Sequence, residues 1–352
     1  MAILFGQTQV SAMKILLSSH GFHPDIGGIE DVSLTLAREF VRAGHEVRVV
    51  TRTVRKSDVD FPFAVERRPS AVALLQAVRW CEVFFHNNVS LQTAWPLLVV
   101  RRPWVVAHHT WICRPDGSLT WRDRLKRQLL RRAVNIGGGE AVARSLAHPM
   151  VVIDNPYPDD VFRIDATVPR DRALIFVGRL VSDKGADLLL EALARLKLRG
   201  HRPDLTIVGG GPEEGSLREQ SRALGLDDQV AFAGFKAPGE LAALLNRHRV
   251  LVAPSRWAEP FGLVALEAIA CGCAVVGSER GGLKAAIGPC GVTFPNGDVP
   301  GLTEAIESVL RHDVSGFREH AHAHLEKHRP ATVARAYLKV LARAAGKGGA
   351  IP

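Results

Sequence analysis

The sequence predicts an α/β protein built from two doubly wound, Rossmann-like domains facing a central cleft. Three observations lead there. Short apolar runs, the mark of strands buried on both faces of a parallel sheet, alternate with stretches of helical periodicity. The alternation breaks at Asp154-Asn155-Pro156-Tyr157-Pro158, where two prolines and no periodicity mark a turn, and then begins again. At 352 residues the chain is long for one core and comfortable for two.

In chain order, 13–19 reads as the first strand and 20–30 as a turn holding Gly27-Gly28. The first helix covers 31–43, with Val32, Leu36, Phe40 and Val41 inward and Gly44 as its C-terminal cap. The second strand is 46–50. This βαβ unit lacks the Gly-x-Gly-x-x-Gly spacing of a dinucleotide fold, but the N–H groups of its glycine turn suit a phosphate. A helix over 72–78 leads to a strand over 82–88. The strand over 103–111 delivers His108 and His109 at its C-terminal end, the edge where open α/β sheets bind ligands. Residues 134–139 and 150–153 close the first sheet. The second half has strands at 173–178, 205–208, 230–234, 249–254 and 274–277. Helices over 186–198, 215–224, 240–247 and from about Leu263 lie between them; 302–310 and 331–343 are terminal helices. The domains therefore run 13–157 and 168–330, with 331–352 a C-terminal helix packing back on the first domain. Residues 1–12 read as an extension ahead of Met13.

Composition is that of a soluble globular protein, 47% hydrophobic and 23% charged. No apolar run approaches the roughly 20 residues that cross a bilayer, and no signal peptide is evident. Five unevenly placed cysteines argue against a disulfide framework and for a reducing cytoplasm. Cys271 and Cys273 read as small buried residues. A net charge of +9 implies an anionic partner. The basic residues concentrate at 52–56, 101–102 and 122–132, the last a helix with Leu125, Leu129 and Leu130 on its apolar side. A solvated face and a peripheral contact with an anionic membrane both fit that helix. No nucleic-acid module is present, so nucleic acid is not expected. His320 and His324 share a helix face; a solvated face is expected there, since no third zinc ligand is evident. Trp95, Trp111 and Trp121 read as packing residues, with a sugar platform the alternative.

The stretch 255–273 is the most informative. It reads as a loop carrying Glu259 that ends at Phe261-Gly262, then a helix carrying Glu267. A helix N-terminus attracts a diphosphate through its unpaired N–H groups and its dipole. Gly262 lets backbone approach a ligand closely. Glu267 leans toward that end, where a carboxylate can accept from two ribose hydroxyls. An ordinary amphipathic helix with two solvated glutamates is the alternative.

Phe-Val-Gly-Arg-Leu-x-x-x-Lys-Gly at 176–185, Val-Gly-Gly-Gly-Pro at 208–212 and Glu-Pro-Phe-Gly-Leu-x-x-x-Glu at 259–267 together resemble family 4 of the retaining GT-B glycosyltransferases. Phe-His-Pro-x-x-Gly-Gly-Ile-Glu at 22–30 is similar to that family's N-terminal motif, and Val-Ile-Asp-Asn-Pro-Tyr at 152–157 to its interdomain segment. The resemblance covers roughly 13–310. It implies a GT-B architecture, with an N-terminal acceptor domain and a C-terminal donor domain. It also implies that Arg179 and Lys184 hold the donor diphosphate, that Glu259 contacts the transferred sugar and that Glu267 binds ribose. Phe261, Gly262 and Leu263 would offer backbone contacts, Gly210 would lie in the donor site, and Phe235 and Lys236 would meet the nucleobase. Gly27 and Gly28 would approach the phosphates or sugar. Ungapped alignment matches His109 to the family's active-site histidine and leaves His108 a structural role.

The implied reaction is metal-independent transfer, with retention, from a nucleoside-diphosphate sugar (UDP or GDP) to a hydroxyl of a lipid-linked, polysaccharide or small-molecule acceptor. No cofactor is expected, the nucleotide sugar being a substrate. Asp58-Val59-Asp60 resembles the Asp-x-Asp of metal-dependent transferases but falls in a polar loop, so no metal is expected. Lys284-Ala285 stands where the family commonly has Pro-Glu, and Gly137-Gly138-Gly139 where a Ser-centred turn is usual, a change expected to loosen the acceptor side. A sugar-nucleotide epimerase and a non-catalytic nucleotide-sugar-binding protein are the competing readings.

Overall fold

The computed structural model describes residues 11–25, 27–54, 59–114, 117–146, 148–311 and 315–347. Most of the expected extension over 1–12 lies outside them, as do Arg55 and Lys56 of one basic run and the first aspartate of Asp58-Val59-Asp60. The chain divides into two units, Met1–Pro156 with Pro330–Pro352, and Tyr157–Arg329.

The first unit holds β1 (Lys14–Ser19), β2 (Glu46–Thr51), β3 (Ala64–Arg67), β4 (Val83–Asn87), β5 (Trp104–His108), β6 (Val134–Gly137) and β7 (Met150–Val152). They form one parallel sheet in the order β3-β2-β1-β4-β5-β6-β7. β4 and β5 are buried at every position, as central parallel strands are, and this includes the polar His86, Asn87 and His108 at their C-terminal ends. On one face Leu16 and Phe84 pack with Leu74 and Val78 of the helix Ala71–Trp80. The C-terminal helix Pro330–Ala344 belongs to this unit: its buried Tyr337 meets Phe85 edge-on at 5.6 Å, and Lys347 beyond it pairs with Glu82 at 2.6 Å.

The second unit holds β8 (Arg172–Val177), β9 (Leu205–Val208), β10 (Val230–Gly234), β11 (His248–Ala253), β12 (Ala274–Ser278) and β13 (Gly291–Phe294). They are again all parallel, in the order β10-β9-β8-β11-β12-β13. Leu189, Leu193 and Leu196 of the helix Ala186–Leu198 bury one face against Ile207 and Val250. Leu266 and Ile269 of the helix Leu263–Ala270 bury the other against Ile175 and Leu251. Cys271 and Cys273 are buried here, and desolvation pushes both thiols up to about 12, which suits inert packing.

Each sheet has one place where the strand order reverses, between β1 and β4 in the first and between β8 and β11 in the second. Loops leaving the C-terminal ends of those strands diverge, which is where open α/β sheets take ligands.

Several elements differ from the sequence reading. β3 is an edge strand whose Ala-Val-Glu-Arg run is too short and mixed to stand out, and the sequence reads as a turn at Gly281-Gly282-Leu283, where a helix over Leu283–Ile287 begins. β5 ends at His108, so His109 lies just beyond the strand. The basic helix is α over Trp121–Leu129 and 3₁₀ over Leu130–Arg132; only Leu130 is buried, while Leu125 is 41% exposed, so the three leucines do not form one inward face. His320 is exposed, but His324 is buried and its Nε2 donates to the Ala286 carbonyl at 2.8 Å, so their shared face is not a solvated one.

Candidate active site

In the second unit, the loops after β8 and β11 carry the charged groups. The loop after β8 runs through Arg179 into a 3₁₀ turn over Ser182–Lys184 and closes at Gly185, whose φ of 68° is left-handed. A Cβ at Gly185 would stand 2.1 Å from the Pro254 carbonyl oxygen, so the bare backbone lets this turn press on the loop after β11. That contact brings Lys184 Nζ to 2.8 Å from Glu259 Oε1. Ser255, itself buried, donates its hydroxyl to the same carboxylate oxygen.

The Glu259 loop is tied on three sides. Asn296 Nδ2 donates to the Ser255 carbonyl at 2.9 Å, with the Arg256 and Trp257 carbonyls at 3.4 Å. Arg256 makes a two-pronged pair with Asp187, and its N–H donates to the Asp183 carbonyl at 2.8 Å. Gly282 N–H donates to the Glu259 carbonyl at 2.7 Å, and a Cβ at Gly281 would fall 2.2 Å from that oxygen. The Gly281-Gly282 pair is thus demanded by close backbone approach. Ser255 and Asn296 escaped the sequence reading; the polar Ser255 four residues before Glu259 was the one available hint.

Gly262, at φ 110°, opens the helix Leu263–Ala270, and no side chain caps that end. Phe261 is buried and Leu263 half-buried, while Glu267 lies half-buried one turn into the helix. Arg179 is exposed and makes no ion pair among the described residues. The glycine turn after β9 is zipped to the loop after β8: Leu180 N–H donates to the Gly210 carbonyl at 3.0 Å. Cβ atoms at Gly209 and Gly211 would fall 1.9 and 2.3 Å from the Gly178 and Leu180 carbonyl oxygens, whereas Gly210 is open. Phe235, 61% exposed, and the half-buried Lys236 follow β10 at the same edge.

In the first unit the corresponding groups are neutral. His109 is 7% exposed. Its Nε2 lies 2.6 Å from Asn87 Oδ1 and its Nδ1 2.8 Å from Asn155 Oδ1, while its backbone N–H donates to Asn88 Oδ1 at 2.8 Å. Burial drives its pKa down to about 4. His108 donates from Nε2 to Asn135 Oδ1 at 3.0 Å and is equally depressed by burial, the pattern of a satisfied structural histidine. Gly138 does not loosen this region: a Cβ there would stand 2.6 Å from His109 Nδ1 and 2.9 Å from Asn155 Oδ1, so its bareness tightens the contact. At Gly27-Gly28, where backbone donors for a phosphate are expected, the room beside Gly27 is taken by Glu30. A Cβ at Gly27 or Gly21 would fall 2.5 or 2.1 Å from that carboxylate, so a phosphate would meet a negative charge.

Among the described residues no cluster of three or more His, Cys, Asp or Glu is placed to hold a metal, and no helix is long and apolar enough to cross a membrane. A cavity of about 490 Å³ opens at the opposite, N-terminal edge of the first sheet beside Lys14, Glu46, Trp80 and Lys347, away from His108 and His109.

Residues 159–327 match the family model for glycosyl transferases group 1. The chain is 30% identical over 354 residues to D-inositol 3-phosphate glycosyltransferase of Frankia alni, covering 82% of this chain and 86% of that one. It is 42% identical over 139 residues to glycogen synthase of Mycobacterium tuberculosis, a match spanning 39% of this chain and 33% of that enzyme's length. A crystal structure of Anabaena Alr3699/HepE with UDP and glucose superposes with a TM-score of 0.77 at 20% identity, over 94% of this chain and 99% of that one.

Proposed function

This chain belongs to the glycosyl transferases group 1 family and is a glycosyltransferase, and we propose that it works without a metal and with retention, drawing on a UDP- or GDP-sugar donor. The observation that carries the reading is the Lys184–Glu259 contact of 2.8 Å at the β8/β11 switch point, beside an uncapped helix N-terminus at Gly262. Lys184 and Arg179 hold the donor diphosphate and neutralise the charge that builds on its β-phosphate as the sugar departs. The Phe261, Gly262 and Leu263 backbone adds a partial positive charge at the same place. Glu259 exchanges Lys184 for hydroxyls of the transferred sugar, Glu267 takes the ribose, Gly210 lines the donor site, and Phe235 with Lys236 meets the base. The acceptor oxygen bonds to the anomeric carbon on the face the diphosphate leaves, and its proton passes to the leaving phosphate oxygen.

The second unit is then the donor domain, and the first, with His109, serves the acceptor, a hydroxyl of a lipid-linked, polysaccharide or small-molecule saccharide. Transfer takes place in the cytoplasm, at the inner face of the membrane where the acceptor is lipid-linked. A peripheral membrane contact is supported by the helix Trp121–Leu129: none of its residues is buried, Trp121 is 68% exposed, and Arg122 and Arg124 flank it.

Nucleoside-diphosphate release, followed across a panel of nucleotide sugars with and without acceptor glycans, tests the reading. One donor should be turned over and acceptor should accelerate it. Release from no donor would overturn the catalytic assignment. An altered free sugar formed without acceptor would instead indicate an epimerase. Sedimentation with phosphatidylglycerol vesicles, set against phosphatidylcholine vesicles, tests the membrane contact; equal binding to both would remove it.

A further inference from the structure

We propose that Asn87 is a positioning residue that locks the His109 imidazole as the neutral Nε2–H tautomer, so that His109 serves by place and polarity and transfers no proton. The functional half of this statement rests on the reading of His109 as a site residue; the tautomer does not.

Asn87 ends β4 and is wholly buried. Its Nδ2 faces Ser33 Oγ at 2.6 Å and the Ile29 carbonyl at 3.3 Å. A backbone carbonyl only accepts, so turning the amide over would set two oxygens against each other. Asn87 Oδ1 is therefore the atom at His109 Nε2, 2.6 Å away, and an oxygen there requires a proton on that nitrogen. The polarity is held from behind. Ser33 Oγ lies 2.7 Å from the Ile29 carbonyl and 2.8 Å from Ser19 Oγ, and Ser19 spends its own proton on the Gly21 carbonyl at 2.6 Å. Ser33 thus has an acceptor for its proton and a lone pair left for Asn87.

With Nε2 protonated, a neutral ring offers Nδ1 as an acceptor, and Asn155, whose amide lies 2.8 Å away, must then present its nitrogen to the ring. The bare backbone of Gly138 leaves room for that contact, which a Cβ would crowd. A second proton on the ring would have to be buried. Among the described residues the titratable group that bears on the ring is His108, whose own charge would oppose it and which burial also keeps neutral. From the helix Gly28–Arg42 the residues that approach are Ile29 and Ser33, while Glu30 turns its carboxylate to Gly21 and Gly27.

The test is long-range ¹H–¹⁵N correlation on the full chain labelled at histidine, with the His109 signal assigned by its loss in His109→Gln. Wild-type His109 should show protonated Nε2 and bare Nδ1, unchanged from pH 8 to pH 6. In Asn87→Asp a carboxylate replaces the amide oxygen and should raise the ring's titration midpoint by about 1–3 pH units. Turnover of Asn87→Asp should then change as pH approaches that new midpoint from above, over pH 8 to pH 6, where wild type is flat. A protonated Nδ1 in wild type overturns the proposal without any variant, and so does an unmoved midpoint in Asn87→Asp. A correct tautomer with no turnover from any donor would leave the lock standing and count against the catalytic reading instead.

Discussion

The two switch points use one backbone plan and opposite chemistry. Beside β4 and β5, Asn87, His109 and Asn155 are sealed, neutral and joined by hydrogen bonds. Beside β8 and β11, Lys184 and Glu259 are charged, and their side chains remain 28% and 12% exposed. A sealed neutral network is hard to rearrange, because each orphaned buried donor or acceptor costs about 1–3 kcal/mol. A partly exposed ion pair is worth only about 0–1 kcal/mol net, so an arriving anion or hydroxyl can replace either partner. Rigidity and exchangeability are therefore divided between the units, and each half of that contrast can be broken separately.

Acid should break the first unit by the largest margin. Burial lowers His86 to about 3 and His108 and His109 to about 4. Their unfolded value is about 6.5, so as pH falls below it the unfolded chain takes up protons the folded chain refuses. Stability is full above about pH 6.5 and drains toward pH 4, on the order of 3 kcal/mol for each ring. Three such terms together, on the order of 10 kcal/mol, are comparable with a whole domain's stability of about 5–15 kcal/mol. Tryptophan fluorescence should show a cooperative transition between pH 6 and pH 4, since Trp80, Trp95, Trp104, Trp111 and Trp121 all lie in this unit. Unchanged emission down to pH 4 would show that the histidines are hydrated.

Lys184→Ala should come next, with a turnover loss of about 10²–10³-fold, the range for removing one charge-stabilising donor. The melting temperature should fall modestly, because the buried Glu259 loses its cation but keeps the Ser255 hydroxyl as a donor. A variant of near wild-type rate would remove Lys184 from the donor site.

Gly185→Ala asks whether the Lys184–Glu259 contact depends on backbone approach. The added methyl meets the Pro254 carbonyl and must adopt a left-handed φ. It should lower stability by about 1–3 kcal/mol and turnover with it, as the 3₁₀ turn lifts from the Glu259 loop. A melting curve and rate like wild type would mean the contact tolerates that shift.

The contrast also explains what could be read from sequence. The parallel strands stood out because burial on both faces writes an uninterrupted apolar run, as in Val250-Leu251-Val252. The boundary stood out because Pro156 and Pro158 cannot continue either element. Lys184 beside Gly185, Glu259 in the loop that ends at Gly262, and Glu267 in the helix that follows were visible as charges around helix starts. The neutral network was not, because Asn87 and Ser33 are ordinary polar residues until the fold brings them together from 54 positions apart. Gly138 misled for a related reason: a missing side chain looks like slack in sequence, and only its neighbours, His109 and Asn155, show that it is crowding. Glu30 likewise gave no sign that it would fold back onto the turn that contains Gly27.

The smallest effect should come from Arg256→Ala, and it separates aiming from stabilising in the charged unit. Arg256 pairs with Asp187, and both side chains are about one-third exposed, at 38% and 30%. Solvent screens such a pair, so the loss should stay below about 1 kcal/mol in a denaturant melt. The Glu259 loop keeps its Asn296 and Gly282 hydrogen bonds in this variant. Turnover should therefore fall only a few-fold, through a looser loop, and the loss should appear in kcat/KM for the donor. Asn296→Ala removes the tie to the Ser255 carbonyl and should cost more in both measurements. If Arg256→Ala proved the more damaging of the two, the loop would be held by its surface charges, and the division between a hydrogen-bonded frame and exchangeable ions would fail in the second unit.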